Sequence, residues 1–154
     1  MNFTQLVDEL SELLGLELSI DKNRAVRFVL DRTIKMQLEF HSFKEAFCLI
    51  IPLEQLYQGI RREEVLKAAL KSNHTFRPKG GHFGYVEKKG YLVLFSYIPL
   101  SIATTKIVFE EMVLLSRQAR AWLEAFSSGQ SAPQGAFEEK NLPRTSLFNA
   151  FDKR

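Results

Sequence analysis

Histidine and cysteine are the residues of this chain best suited to metal binding or nucleophilic catalysis, and the chain has few of them. His41, His74 and His82 are the only histidines, and none has a second histidine or a carboxylate at a recognised metal-ligand spacing. Cys48 is the only cysteine, and it lies in an apolar run where a thiol is usually an inert packing group. The sequence therefore predicts no metal site, no cofactor and no intrachain disulfide.

Two further patterns could indicate catalysis, a glycine-rich loop and paired carboxylates. Residues 79–84 are glycine-rich but precede a predicted strand, whereas a phosphate-binding loop follows a strand and opens a helix. These glycines instead favour tight turning and close strand approach. Neighbouring helical positions point about 100° apart and cannot act on one substrate, which applies to the carboxylate pairs Glu63-Glu64, Glu110-Glu111 and Glu138-Glu139. The sequence thus predicts a protein without a catalytic site.

The size and composition indicate one globular domain. A chain of 154 residues can bury one hydrophobic core, and 13 phenylalanines supply a large apolar surface for it or for a partner. No segment approaches the roughly 18 apolar residues of a membrane span, and the first residues lack the pattern of a signal peptide. With a single cysteine, these features favour the cytoplasm and no membrane insertion.

The charge leaves a second function open. The formal net charge is +3 and the pI about 9.0, which admits a nucleic-acid-binding or transcription-regulatory module as the alternative. The basic residues are scattered, however, and Arg61-Arg62 runs directly into Glu63-Glu64. A mixed solvated surface is the simpler interpretation, so nucleic acid is the less favoured partner.

The first half of the chain changes from a helical to an alternating apolar pattern. Helical spacing predicts an amphipathic helix that ends near Gly15. Alternation then predicts strands over residues 26–30 and 34–40, joined by a short turn. A third strand over residues 46–51 is apolar on both faces and is therefore expected at the centre of the sheet. Leu53, Leu56, Tyr57 and Ile60 return to helical spacing.

The second half predicts a helix over residues 63–72, a loop over 73–81, a hairpin with strands at 83–87 and 91–98, and a long helix over 103–126. The order α-β-β-β-α-β-β-α predicts an α+β fold, with a five-stranded antiparallel sheet and helices packed mainly on one face. Residues 1–127 form the predicted domain. Residues 128–154 have the composition of a flexible tail and contain one apolar cluster at 147–151.

This order resembles that of the Tir-type (CesT-like) class I effector chaperones of bacterial type III secretion, and chlamydial members look closest in style. The likeness spans most of residues 1–127 and is carried by EVLKAALKSN at 64–73, GYVE at 84–87 and YLVL at 91–94. The apolar positions Phe109, Leu115, Ala119 and Trp122 of the last helix complete the pattern. Members of the family are commonly acidic whereas this chain is basic, a departure that an acidic client would explain.

The resemblance implies a cytoplasmic homodimer that binds the N-terminal segments of secreted effectors in extended form and keeps them competent for secretion. It implies no enzymatic activity and no cofactor, and the secretion ATPase is a further candidate partner. Strand-like pairing with apolar pockets would tolerate different client sequences. The resemblance places client binding on the first helix and first two strands, at Leu6, Leu10, Val26, Phe28, Met36 and Leu38. It places the dimer interface on the second helix and the following strand, at Val65, Leu66, Ala69, Leu70, Phe83 and Tyr85. For each set the alternative is packing within one domain.

Overall fold

A computed structural model describes residues 1–74 and 80–134 of the chain. The three helices are α1 (Phe3–Leu14), α2 (Ile60–His74) and α3 (Thr105–Ser127). The five strands are β1 (Ala25–Leu30), β2 (Ile34–His41), β3 (Ala46–Gln55), β4 (His82–Val86) and β5 (Tyr91–Pro99). The element order α-β-β-β-α-β-β-α and the α+β class are as predicted.

The strands form one antiparallel sheet in the order β1-β2-β3-β5-β4, which places β3 at its centre as expected. Alternate residues of β3, including Phe47, Leu49 and Ile51, are buried with the helices in one core. The other face of the sheet carries Lys35, Gln37 and Ile50, which are partly or well exposed. The helices thus cover one face and leave an open face opposite.

Helix α1 has clear start and stop signals. The Asn2 side chain accepts a hydrogen bond from the Gln5 N–H at 2.8 Å, which satisfies an otherwise unpaired donor of the first turn. Gly15 closes the helix in a left-handed conformation with φ of 64°. Phe3, Leu6, Val7 and Leu10 are buried against the sheet and α3.

Helix α3 is the longest element and provides much of the core. The Thr104 hydroxyl caps its start by accepting from the Ile107 N–H at 3.2 Å. Near its other end, the centroid of the Trp122 ring lies 4.4 Å from the centroid of the Phe83 ring and 5.9 Å from that of the Phe126 ring. Large aromatic side chains dominate core energetics, so this cluster ties α3 firmly to β4.

One part of the predicted element pattern was wrong. The helical spacing of Leu53, Leu56, Tyr57 and Ile60 does not form a helix, because β3 continues to Gln55 and α2 begins only at Ile60. Leu53 extends the alternating burial of the strand, and pairing with β5 shifts between Pro52 and Glu54. Four apolar residues at helical spacing are too few to separate a short helix from a strand followed by a turn.

The glycine-rich loop has the structural role expected of it. Gly81 has φ of 79°, and a Cβ atom there would lie 2.6 Å from the Phe95 carbonyl oxygen. Any side chain would therefore collide with the neighbouring strand. The glycine allows the chain to enter β4 close against β5.

Part of the predicted loop (75–79) and most of the predicted tail (135–154), including the apolar cluster at 147–151, lie outside the described residues. Helix α3 ends at Ser127, where the predicted domain ends, but Ala132 still packs against the core, and the division into one domain and a flexible tail stays a prediction. Within the described ranges, no helix has the length and apolarity that crossing a membrane requires.

Candidate functional site

The two edges of the sheet differ in how their backbone is satisfied. At β4, the Asn73 side chain accepts from the Phe83 N–H at 2.8 Å and donates to the Phe83 carbonyl oxygen at 2.9 Å. Helix α2, which carries Asn73, packs beside this strand. The Asn73 side chain therefore closes the β4 edge at Phe83, where it forms the two hydrogen bonds that a neighbouring strand would form.

The β1 edge is closed at its first residue only. The Ala25 N–H donates to Asp21 Oδ1 at 3.0 Å, and the Ala25 carbonyl accepts from the Asp21 N–H at 2.8 Å. In an antiparallel edge strand, the backbone N–H and C=O groups of successive residues point alternately toward the partner strand and away from the sheet. The backbone groups of Arg27 and Val29 therefore point away from the sheet, as those of Ala25 do. Among the described residues, none bonds the outward backbone groups of Arg27 and Val29. An open edge of two residues remains.

Apolar side chains border this open edge. Phe28 and Leu30 project to the helix side and are only partly buried where they pack against the core. The end of α1 and the connection to β1 add exposed apolar groups, namely Leu13, Leu16 and Ile20. Val29, on the open face, is 45% exposed. Free backbone groups and apolar surface thus occur together, as strand addition by a peptide requires.

A depression lies where the sheet divides, and its lining combines open-face residues such as Lys35 and Gln37 with Ile51, Leu53 and Leu123 from the helix side. The β1–β2 pairing runs on to Leu30 opposite Ile34, whereas the β2–β3 pairing stops at Gln37 opposite Ile50. The β1–β2 hairpin therefore diverges from the second half of β3, and cavities of about 550 and 330 Å³ occupy the gap. Both cavities are lined by Lys35, Gln37 and Pro52, and together they are called the open-face trough.

The structure places most of the predicted client-binding residues in the core. Only Phe28 reaches the surface, and the other five are no more than 2% exposed, namely Leu6, Leu10, Val26, Met36 and Leu38. These five side chains lie in the core between α1 and the first two strands. Direct contact with a client would therefore require them to move. The prediction for this region therefore depends on Phe28 and the neighbouring edge.

The predicted dimer residues divide between the interior and the surface of the domain. Val65, Ala69 and Phe83 are buried within one chain, whereas Leu66 and Tyr85 are partly exposed. Leu70 is 67% exposed, and Ile60 on the same helix is 74% exposed. The outer side of α2 therefore exposes Ile60 and Leu70 among charged side chains such as Glu64 and Lys67, and no described element covers these two apolar residues.

Sequence reasoning missed the residues that define the two edges. Asp21 and Asn73 appear in the sequence as ordinary loop and helix-end residues, and the alternation in β1 predicts a strand without revealing its neighbours. Which strand is an edge depends on long-range pairing. The Asn or Asp residues next to predicted strands were the one available signal, since such side chains readily bond nearby backbone.

The chemistry of the described residues is that of an unreactive scaffold. They contain no group of three or more His, Cys, Asp or Glu side chains arranged to hold a metal ion. Burial raises the pKa of the Cys48 thiol to about 12, and the nearby Glu39 carboxylate acts in the same direction. This thiol remains protonated at neutral pH and is a poor nucleophile.

Comparisons with known proteins agree on one class. Residues 5–123 match the model of the Tir chaperone protein (CesT) family. A chain of the HopA1–SchA chaperone–effector complex is 26% identical with a TM-score of 0.66, over 80% of this chain and 94% of that one. A chain of the ExsC–ExsE complex is 21% identical with a TM-score of 0.59, over 78% and 90%. No curated protein matches the chain.

A third structure, of the Yersinia pestis type III secretion chaperone SycH with a fragment of YscM2, is 16% identical with a TM-score of 0.57, over 77% of this chain and 98% of that one. At such identities the second and third likenesses establish the fold alone. The family match covers most of the domain, and the chain therefore belongs to the Tir chaperone protein (CesT) family. It is a type III secretion effector chaperone, and this class is not enzymatic. The resemblance and the prediction of a non-catalytic protein are confirmed, in preference to the nucleic-acid alternative.

Proposed function

We propose that this chaperone binds the N-terminal segment of an effector as an added strand along β1, keeping it extended and competent for secretion. The observation that carries the proposal is the pair of outward residues, Arg27 and Val29, whose backbone groups are unbonded within the described chain. Backbone hydrogen bonds would give affinity that tolerates sequence variation. Apolar side chains of the client would cover Phe28 and Leu30 and supply selectivity.

Known complexes support effectors as the partners. SchA occurs in a chaperone–effector complex with HopA1, and SpcS of Pseudomonas aeruginosa in a complex with ExoT. A disordered client loses conformational entropy on binding, so a large contact area is needed to offset that cost. Exposed apolar residues at the end of α1 and in the connection that leads into β1, including Leu13, Leu16 and Ile20, would extend the available area beyond the edge itself.

Two further parts of the proposal concern assembly and location. A homodimer formed through the outer side of α2 would cover Leu66, Leu70 and Ile60 and leave both β1 edges accessible. The bacterial cytoplasm is the proposed location, and the free, buried thiol of Cys48 suits a reducing compartment. Contact with the secretion ATPase is a further proposal.

The edge hypothesis can be tested with Val29→Pro. Proline removes the outward N–H and places its ring where the added strand would lie, yet an edge position tolerates it because that N–H does not bond β2. Val29→Ala is the matched control, since it shortens the side chain and keeps the N–H. Each variant is used to capture partners from the native cytoplasm, and the captured proteins are identified by mass spectrometry.

We expect the wild type and Val29→Ala to recover the same secreted effectors through their N-terminal segments, and Val29→Pro to recover at least ten times less. A thermal melt of each variant establishes that the domain is folded. Equal recovery by a folded Val29→Pro variant would show that clients do not pair with β1.

A further inference from the structure

The open-face trough has a distinctive combination of charge and apolar surface. Its floor includes Ile50, Pro52 and Val93, all partly exposed. Lys35 borders both cavities, Lys89 the larger and Arg27 the smaller. Of the described residues that line the two cavities, none is an aspartate or a glutamate.

Two of these cations are available to a partner. Arg27 is paired with Asp21 at 2.6 Å, but neither Lys35 nor Lys89 forms an ion pair with a described residue. Both lysines are exposed. Like charges around an apolar floor produce a local positive potential, and a ligand that brings carboxylates would relieve it.

The position of the trough favours a peptide. The larger cavity, about 550 Å³, extends from Lys35 of β2 across β3 to Val93 of β5. The smaller cavity reaches Val29, so the trough begins at the open edge of β1 and continues across the face of the sheet. A segment leaving the β1 edge can therefore pass directly into it.

We propose that the open-face trough binds a client segment in which carboxylates alternate with apolar side chains. The apolar side chains face Ile50, Pro52 and Val93, and the carboxylates pair with Lys35 and Lys89. This inference rests on the proposed function and adds the chemical class of the client. It also assigns the open face of the sheet a role separate from that of the edge.

The test uses two labelled twelve-residue peptides, one alternating valine with glutamate and the other alternating valine with lysine. Their affinities for the full chain are measured by fluorescence anisotropy at low and at moderate salt. We expect the glutamate peptide to bind the wild type several-fold more tightly, with a preference that shrinks as salt screens the charges.

The variant K35E/K89E reverses both trough charges and should reverse the preference, so that the lysine peptide binds more tightly. The control K106E/R117E makes the same change of net charge on α3, away from the trough, and should keep the wild-type preference. All four positions are exposed, so the variants should fold.

Two results would overturn the inference. One is equal affinity for the two peptides in the wild type, or a preference that K35E/K89E leaves unchanged. The other is a K35E/K89E variant that alters self-association with no effect on peptide binding, which would assign the trough to a second copy of the chain. Either result can occur while Val29→Pro still abolishes effector capture, so the proposed function is judged separately.

Discussion

At the scale of single residues, Cys48 shows how burial determines reactivity. Its side chain lies on the central strand, is 2% exposed and has its pKa raised to about 12. Removal of the thiol from water is the main cause, and the Glu39 carboxylate adds to it. Cys48 is therefore a packing group, as its position in an apolar run predicted.

This raised pKa predicts an alkaline loss of stability. The unfolded thiol has an ordinary pKa of 9.0, so above that pH the unfolded state loses a proton that the folded state retains. The free energy of unfolding should then fall by up to about 1.4 kcal/mol per pH unit between pH 9 and 12 through this group. We expect urea denaturation to show a steeper decline for the wild type than for Cys48→Ala. Parallel pH curves for the two proteins would contradict the prediction.

At the scale of elements, the junction of α2 with β4 depends on one amide. Asn73 supplies both a donor and an acceptor to Phe83, and so joins the helix to the sheet edge. Phe83 in turn contacts Trp122 of α3. Asn73 therefore joins α2 to β4 and satisfies the outward backbone groups of Phe83, while the Phe83 ring joins β4 to α3.

Replacing Asn73 by Ala should leave the Phe83 backbone groups unsatisfied in a partly buried position. We expect a loss of about 1 to 3 kcal/mol in the free energy of unfolding. Asn23→Ala is the control, because Asn23 is exposed and its replacement should change stability by less than about 0.5 kcal/mol. Equilibrium urea denaturation measures both. Similar small effects for the two variants would show that the Asn73 bonds add little.

The elements with strong local signals could be predicted from the sequence. The apolar stripe and Gly15 predicted α1, and the unbroken apolar run at 46–51 predicted a central strand, because burial on both faces leaves a compositional trace. Residues 53–60 were misassigned because a short apolar pattern fits both periods. The open β1 edge could not be predicted. Its position depends on strand pairing between distant segments, and its length depends on Asp21, which bonds Ala25 and closes the first residue.

At the scale of the whole molecule, the proposed homodimer would explain the exposed apolar residues of α2. Val65 and Ala69 already pack inside one domain, so the contact would depend on Leu66, Leu70 and Ile60. Burying such side chains is worth about 1.5 to 3 kcal/mol each. A client bridging two copies would then cover both β1 edges.

Replacing Leu66 and Leu70 by Asp should give a soluble monomer, because the paired surfaces would bury four carboxylates per dimer without partners. Light scattering should report half the wild-type molar mass. The control F43D/I102D places the same charges on two other exposed apolar residues and should remain dimeric. A L66D/L70D protein that dimerises with unchanged affinity would show that the interface lies elsewhere.

The open β1 edge is only two residues long, and this limits the registers in which a client segment can pair with it. Only every second residue of a strand presents its N–H and C=O to the same neighbour, so a bound segment can slip by two positions but not by one. A register shift of one residue would turn every apolar side chain of the effector segment toward solvent. The chaperone would then select the alternation of apolar and polar residues in the effector segment more than the identity of each residue. Effectors of unrelated sequence could therefore bind this chaperone if they share only that alternation.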